Sequence, residues 1–177
     1  MQDVAFRLAA PVDAMTLSAL AIQVFLGTYA EDGIRPPVAR EAHELLSPAA
    51  FDAALADPAC TIVVAERERR LLGFAQIAFP SRHALVPHEN AAELVRLYVQ
   101  ERSTRRGIGR ELLVRAEEEA IVRGATTLWL CAWAPNLRAL AFYERCGYAL
   151  AGESSYRFRD DVYATRVYTR RLPAERP

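Results

Sequence analysis

Gly107 and Gly109 stand one residue apart inside STRRGIGREL (Ser103–Leu112), with Arg105, Arg106 and Arg110 around them. A residue without Cβ lets an anion come close to the backbone amides, and guanidinium groups add charge and paired donors. If a helix starts at Ile108, its first N–H groups have no partner within the helix, and its positive end attracts phosphate. The same residues would equally suit a surface turn with solvated arginines, and taken alone they leave the two readings level. Two other phosphate motifs are excluded. No Gly-x-x-x-x-Gly-Lys-Ser/Thr run occurs, and the dinucleotide fingerprint needs a third glycine where Leu112 stands.

Those residues need a strand before them and a helix after them, and the patterning supplies both. ELVRLYV (93–99) reads as a strand, and from Ile108 the apolar residues Ile108, Leu112, Leu113, Ala116, Ala120 and Ile121 fall on one helical stripe ending before Gly124. TTLWLCAW (126–133) is apolar nearly throughout, as in a strand covered on both faces. Upstream, VAFRLAA reads as a strand and the stretch from Asp13 to Ala30 as a helix with Asp13 at its N-cap. The proline-bearing segment 31–46 reads as irregular, and Ser47-Pro48 opens a short helix. CTIVVAER and LLGFAQIAF form a hairpin, and PSRHALVPHENA is a loop. Downstream, Asn136 caps a helix that Gly147 ends, and two strands follow around YALAGESS and VYATRVYTRRL. The central strand–helix–strand unit is expected to be a right-handed parallel crossover.

The chain has 177 residues, 52% of them hydrophobic, which predicts one globular domain over 1–177. Lys+Arg and Asp+Glu balance at 22 each, so no overall charge draws the chain to nucleic acid or an anionic membrane. The RSTRRGIGR stretch also lacks the interleaved aromatics of a nucleic-acid surface. Cys60, Cys131 and Cys146 are widely separated and read as buried thiols, with no metal site expected. The first residues lack a signal-peptide pattern, and LSALAIQVFL falls short of the roughly 20 apolar residues that span a bilayer, so the expectation is a cytoplasmic protein.

ELVRLYVQERSTRRGIGRELL and NLRALAFYERCGY, in that order and on those elements, resemble the cofactor motif and the second motif of the GNAT family of acyl-CoA-dependent N-acetyltransferases. The resemblance covers about residues 5–172 and is strongest from Glu93 to Tyr148. It implies an α/β fold: a single-domain mixed sheet of six to seven strands flanked by helices around the central parallel unit. It also implies direct acetyl transfer from acetyl-CoA, as acyl-donor co-substrate and without a metal, to a primary amine. The expected cofactor contacts are the backbone of Leu97, Tyr98 and Val99, which would pair with the pantetheine arm like an added strand. To these the resemblance adds Thr104, Arg105, Arg106, Gly107, Ile108, Gly109, Arg110 and Asn136, whose side chain also suits an N-cap. Thr104 departs from the family's usual Gln or Arg three residues before the first glycine, which puts one side-chain contact in doubt.

An alkyl amine of pKa near 10.4 is neutral in about one molecule of a few thousand at pH 7, so restoring the neutral form costs roughly 4–5 kcal/mol. A base is therefore useful, and Glu93 lies where some family members keep a catalytic glutamate. The departing thiolate needs a proton, and Tyr143 falls on the family's general-acid tyrosine. Trp133 suits either the core or the acyl pocket, while His83 and His88 in the preceding loop are secondary base candidates. Acidic Glu31, Asp32, Glu41 and Glu44 would suit a cationic amine, and the layout is weakly similar to the family's polyamine-acetylating branch. The acceptors considered are a polyamine, an amino acid or an antibiotic-like amine. The alternatives are a protein N-terminal or lysine acetyltransferase and a non-catalytic acyl-CoA sensor, and the resemblance is compatible with a homodimer.

Overall fold

The computed structural model describes residues 4–86 and 89–173. In chain order the elements are β1 (Ala5–Leu8), α1 (Ala14–Tyr29), α2 (Pro36–Leu45), α3 (Pro48–Ala56), β2 (Cys60–Arg67), β3 (Arg70–Ala78) and β4 (Ala91–Val99). Then come α4 (Ile108–Val122), β5 (Thr127–Trp133), α5 (Leu137–Arg145), β6 (Ala149–Phe158) and β7 (Asp161–Arg171). The strands hydrogen-bond in the order β1-β2-β3-β4-β5-β7-β6, a mixed seven-stranded sheet flanked by helices, as the resemblance implied. The parallel step is β4–β5, while β1–β2, β5–β7 and β6–β7 run antiparallel.

The residues pack as two compact units: the chain up to Gln76 with Arg96–Ala116, and Ile77–Val95 with the chain from Glu117 onward. In the first, Leu17, Ala21 and Phe25 of α1 meet Val38 and Ala42 of α2, Phe51 of α3, Val64 of β2 and Phe74 of β3. Each such large apolar side chain contributes about 1.5–3 kcal/mol by leaving water. Pro11–Tyr29 forms one continuous 19-residue helical stretch, long and apolar enough to cross a bilayer by length and composition. Its Leu17 and Ala21 are fully buried in this core, the place of a core helix. At Gly73 a Cβ would lie 2.7 Å from the carbonyl oxygen of Tyr98 and 3.2 Å from Leu112, so only glycine lets the β4 backbone and α4 come this close.

Three expectations need correction. Segment 31–46 is not irregular throughout. Pro36 and Pro37 occupy the first turn of α2, where a missing N–H costs nothing, and Val38, Ala42 and Leu46 are buried. Asp13 does not cap α1. Its carboxylate turns back to accept the Ala10 amide at 2.7 Å and the Arg7 guanidinium at 2.7 and 3.0 Å. The cysteines are not fully buried: Cys131 is exposed, and Cys60 and Cys146 are partly so. Ser47 and Asn136 do cap their helices, accepting the amides of Ala50 at 3.2 Å and Ala139 at 3.1 Å.

Candidate active site

In the first unit, β4 is followed by a turn that leads straight into α4. The Thr104 amide and hydroxyl both donate to the Glu101 carbonyl, at 3.1 and 2.8 Å. Thr104 thus helps to close the turn. Arg105 and Gly107 take left-handed backbone angles, φ 58° and 82°, the alternation that turns successive amides toward a common concavity. Helix α4 begins at Ile108, so the amides of Ile108, Gly109 and Arg110 fall in its first turn. Ile108 is buried and anchors the helix end, while Arg105, Arg106 and Arg110 are exposed around it. Leu97, Tyr98 and Val99 lie half-buried on β4 in the same unit. Buried Glu41 of α2 lies close enough to Tyr98 for its charge to help raise that phenol's pKa, after burial itself. It is therefore not a solvent-facing attractor for amines.

In the second unit, the parallel ladder pairs Ala91, Ala92 and Glu93 with Thr127, Leu128 and Trp129. Glu93, half-buried, thus stands beside Trp129, and its Oε2 accepts the Ser81 hydroxyl at 2.9 Å. The loop from Ser81 continues across the same strands. The His83 ring lies 5.0 Å from the Trp129 ring, Val86 packs with Ala91, Trp129 and Val167, and Leu85 fills the space over Gly152. His83 Nδ1 accepts the Leu85 amide at 3.1 Å, which ties the ring to its own loop. His88 lies outside the described residues. Further along β5, partial burial of the thiol and then the Glu93 charge push the Cys131 pKa up to about 11.

Tyr143, on α5 of the same unit, is 9% exposed. Its ring packs against those of Phe142, Tyr148 and Tyr168, at 5.3, 5.9 and 6.5 Å. Asn136 caps α5 about two turns before it, and Trp133 is half-buried at the end of β5. Sequence reasoning missed Ser81 and Glu117. Glu117 occupies the buried stripe of α4 at i+4 from Leu113, a spacing that marks it as inward-facing. Among the described residues, no three His, Cys, Asp or Glu side chains group as metal ligands would.

Comparison with known proteins identifies the family and the fold. The model of the acetyltransferase (GNAT) family matches residues 28–148. An uncharacterized N-acetyltransferase of the pepI 3′ region of Lactobacillus delbrueckii subsp. lactis is 22% identical over 143 residues, 81% of this chain and 83% of that one. PaiA N-acetyltransferase from Thermoplasma acidophilum, solved with coenzyme A, superposes with a TM-score of 0.74 at 20% identity, covering 96% of this chain and 99% of that one. The ribosomal-protein-S18-alanine N-acetyltransferase of Escherichia coli gives 0.67 at 19% identity, over 99% and 97%. The structural likenesses show the fold. The family model, spanning well over half of the residues and both motifs, shows that the chain belongs to the GNAT family of acetyltransferases, the acetyl-CoA-dependent N-acetyltransferases.

Proposed function

We propose that this protein moves an acetyl group directly from acetyl-CoA to a primary amine of a small molecule, and that residues 1–177 work as one domain in doing so. The observation that carries the reading is the turn before α4. Left-handed Arg105 and Gly107, the first-turn amides of Ile108, Gly109 and Arg110, and three exposed arginines make a site suited to a pyrophosphate. Such a site fits coenzyme A, and two relatives of this fold support it: PaiA was solved with coenzyme A, and the yncA acetyltransferase of Salmonella typhimurium (TM-score 0.71, 15% identity) with acetyl-CoA. When bound, acetyl-CoA supplies an acyl group activated as a thioester.

The chain's own residues then have distinct tasks. The amides of residues 107–110 and the arginine side chains hold the diphosphate, and the backbone of Leu97, Tyr98 and Val99 aligns the pantetheine arm. Asn136 Oδ1 caps α5 by accepting the Ala139 amide, which leaves the Nδ2 donors of the same side chain for the cofactor. Glu93, oriented by Ser81, accepts the proton that an ammonium group must lose, directly or through water. The Tyr143 hydroxyl holds the proton that a departing sulfur takes up; passing it from a phenol near 10 to a thiolate whose conjugate acid is near 8.5 is uphill by only about 2 kcal/mol. A small amine is favoured because the half-buried Glu93 carboxylate, paired in register with Trp129, suits a compact cation.

Calorimetric titration with acetyl-CoA, followed by a thiol-release screen over polyamines, amino acids, aminoglycosides and peptides, tests the reading. Binding with turnover on one small-amine class is the expected result. Turnover on peptides alone would replace the small-molecule acceptor with a protein one, and binding without turnover would point to a sensor.

A further inference from the structure

Tyr143 is held by a chain of contacts that begins at a buried carboxylate on another element. The Tyr148 hydroxyl donates to Glu117 Oε1 at 2.8 Å, and the same oxygen accepts Arg170 Nη1 at 3.0 Å. That Arg170 nitrogen also donates to the Cys146 carbonyl at 2.9 Å, and its guanidinium lies over the Tyr148 ring at 5.9 Å. The turn carrying Tyr148 closes back on the same place: the amides of Cys146 and Tyr148 both donate to the Tyr143 carbonyl, at 3.0 and 3.1 Å, around left-handed Gly147 at φ 85°. The Tyr148 ring meets the Tyr143 ring edge-on, 5.9 Å apart at 64°. Behind Tyr143 stands Tyr168, whose own hydroxyl donates to Glu144 at 2.8 Å.

We propose that Glu117 and Tyr148 are positioning residues for Tyr143: the carboxylate fixes one phenol, and that phenol fixes the ring and backbone of the proton donor. The assignment rests on Tyr143 being the donor. Glu117 is buried but its partner Arg170 is 37% exposed, and such a pair adds little net stability beside an apolar replacement of the carboxylate, so Glu117 is a poor choice for mere packing. What it does well is direction. A charged acceptor takes two donors at set angles and thereby sets the rotamer of Tyr148. A group that must deliver a proton to one atom has to be held within about 0.5 Å and 10–20° of its working geometry.

The test is a double-mutant cycle on the intact protein, with acetyl-CoA and the best amine from the screen. Tyr148→Phe keeps the ring and removes the hydroxyl; it is expected to lower kcat about 5-fold, leave KM for acetyl-CoA unchanged, and cost nothing further in a Tyr143→Phe background. Glu117→Gln is expected to repeat that pattern, and it carries the test if Tyr148→Phe does not fold. Losses that multiply in the double variants, or single variants with wild-type kcat, would overturn the positioning role. Full activity in Tyr143→Phe alone would instead overturn the donor assignment on which it stands.

Discussion

Ser81 donates its hydroxyl to Glu93 Oε2 at 2.9 Å, so a loop residue twelve positions upstream holds the carboxylate of β4. If Glu93 is the base, Glu93→Gln should lower kcat/KM for the amine by about 100-fold near neutral pH while acetyl-CoA binds as before. Ser81→Ala removes only the orienting hydrogen bond and should cost about 3-fold. Initial rates and calorimetry on the same preparations separate the two effects. An unaltered rate in Glu93→Gln would leave the proton to water alone.

Gly107 at φ 82° tolerates a side chain only with strain of about 1–2 kcal/mol. No atom lies within 4 Å of where its Cβ would stand, so the penalty is conformational rather than steric. Gly107→Ala should therefore weaken acetyl-CoA binding about 5- to 20-fold, with little change in kcat at saturation. Titration calorimetry reads this directly.

The Cys131 thiol, pushed up to about 11, offers only about one thiolate in a thousand at pH 8. Its alkylation by iodoacetamide, followed site by site by mass spectrometry, should be slow at pH 8 and rise toward pH 10–11. Glu93→Gln removes the negative charge that helps raise the pKa and should speed the reaction at a given pH. Equal rates in the two proteins would mean that the Glu93 charge does not reach the thiol.

Asp13 sits below its ordinary value of 3.8, chiefly because the Arg7 guanidinium hydrogen-bonds its carboxylate, helped by the Ala10 amide. A lowered folded-state pKa means the folded protein prefers the ionised form. This stabilisation is complete above about 3.8 and is lost as pH falls through the lower folded value. Asp13→Asn should cost about 1–2 kcal/mol at pH 7, a modest figure because Arg7 is partly exposed to solvent, and should flatten the acid limb of the stability profile. Urea unfolding between pH 2.5 and 7 provides the check.

Much of the fold was legible in local pattern. The alternating and continuous apolar runs marked all seven strands, and Ser47, Asn136, Gly124 and Gly147 marked helix ends, because caps and left-handed stops act within a few residues. Helix α2 was not legible, since Pro36 and Pro37 read as breakers unless the helix start is already known. The phosphate turn could be seen because its parts are contiguous. The supports of Glu93 and Tyr143 could not. Tyr148 meets Glu117 across 31 residues and Arg170 meets Glu117 across 53, and both pairings depend on β7 lying between β5 and β6. Strand order is set by packing over the whole sheet, and no short window of sequence contains it.

That strand order also bears on how the protein is made. Strand β5 takes β7 as its antiparallel neighbour over seven residue pairs, from Thr127 with Arg171 to Trp133 with Thr165. From the moment β5 leaves the ribosome until residues 161–171 follow it, its apolar residues and one whole edge are uncovered. The nascent protein must keep that edge from other chains until β7 arrives. Chaperone demand and aggregation during synthesis should therefore concentrate in this window, and a stop codon before Asp161 should yield an insoluble product rather than a smaller enzyme.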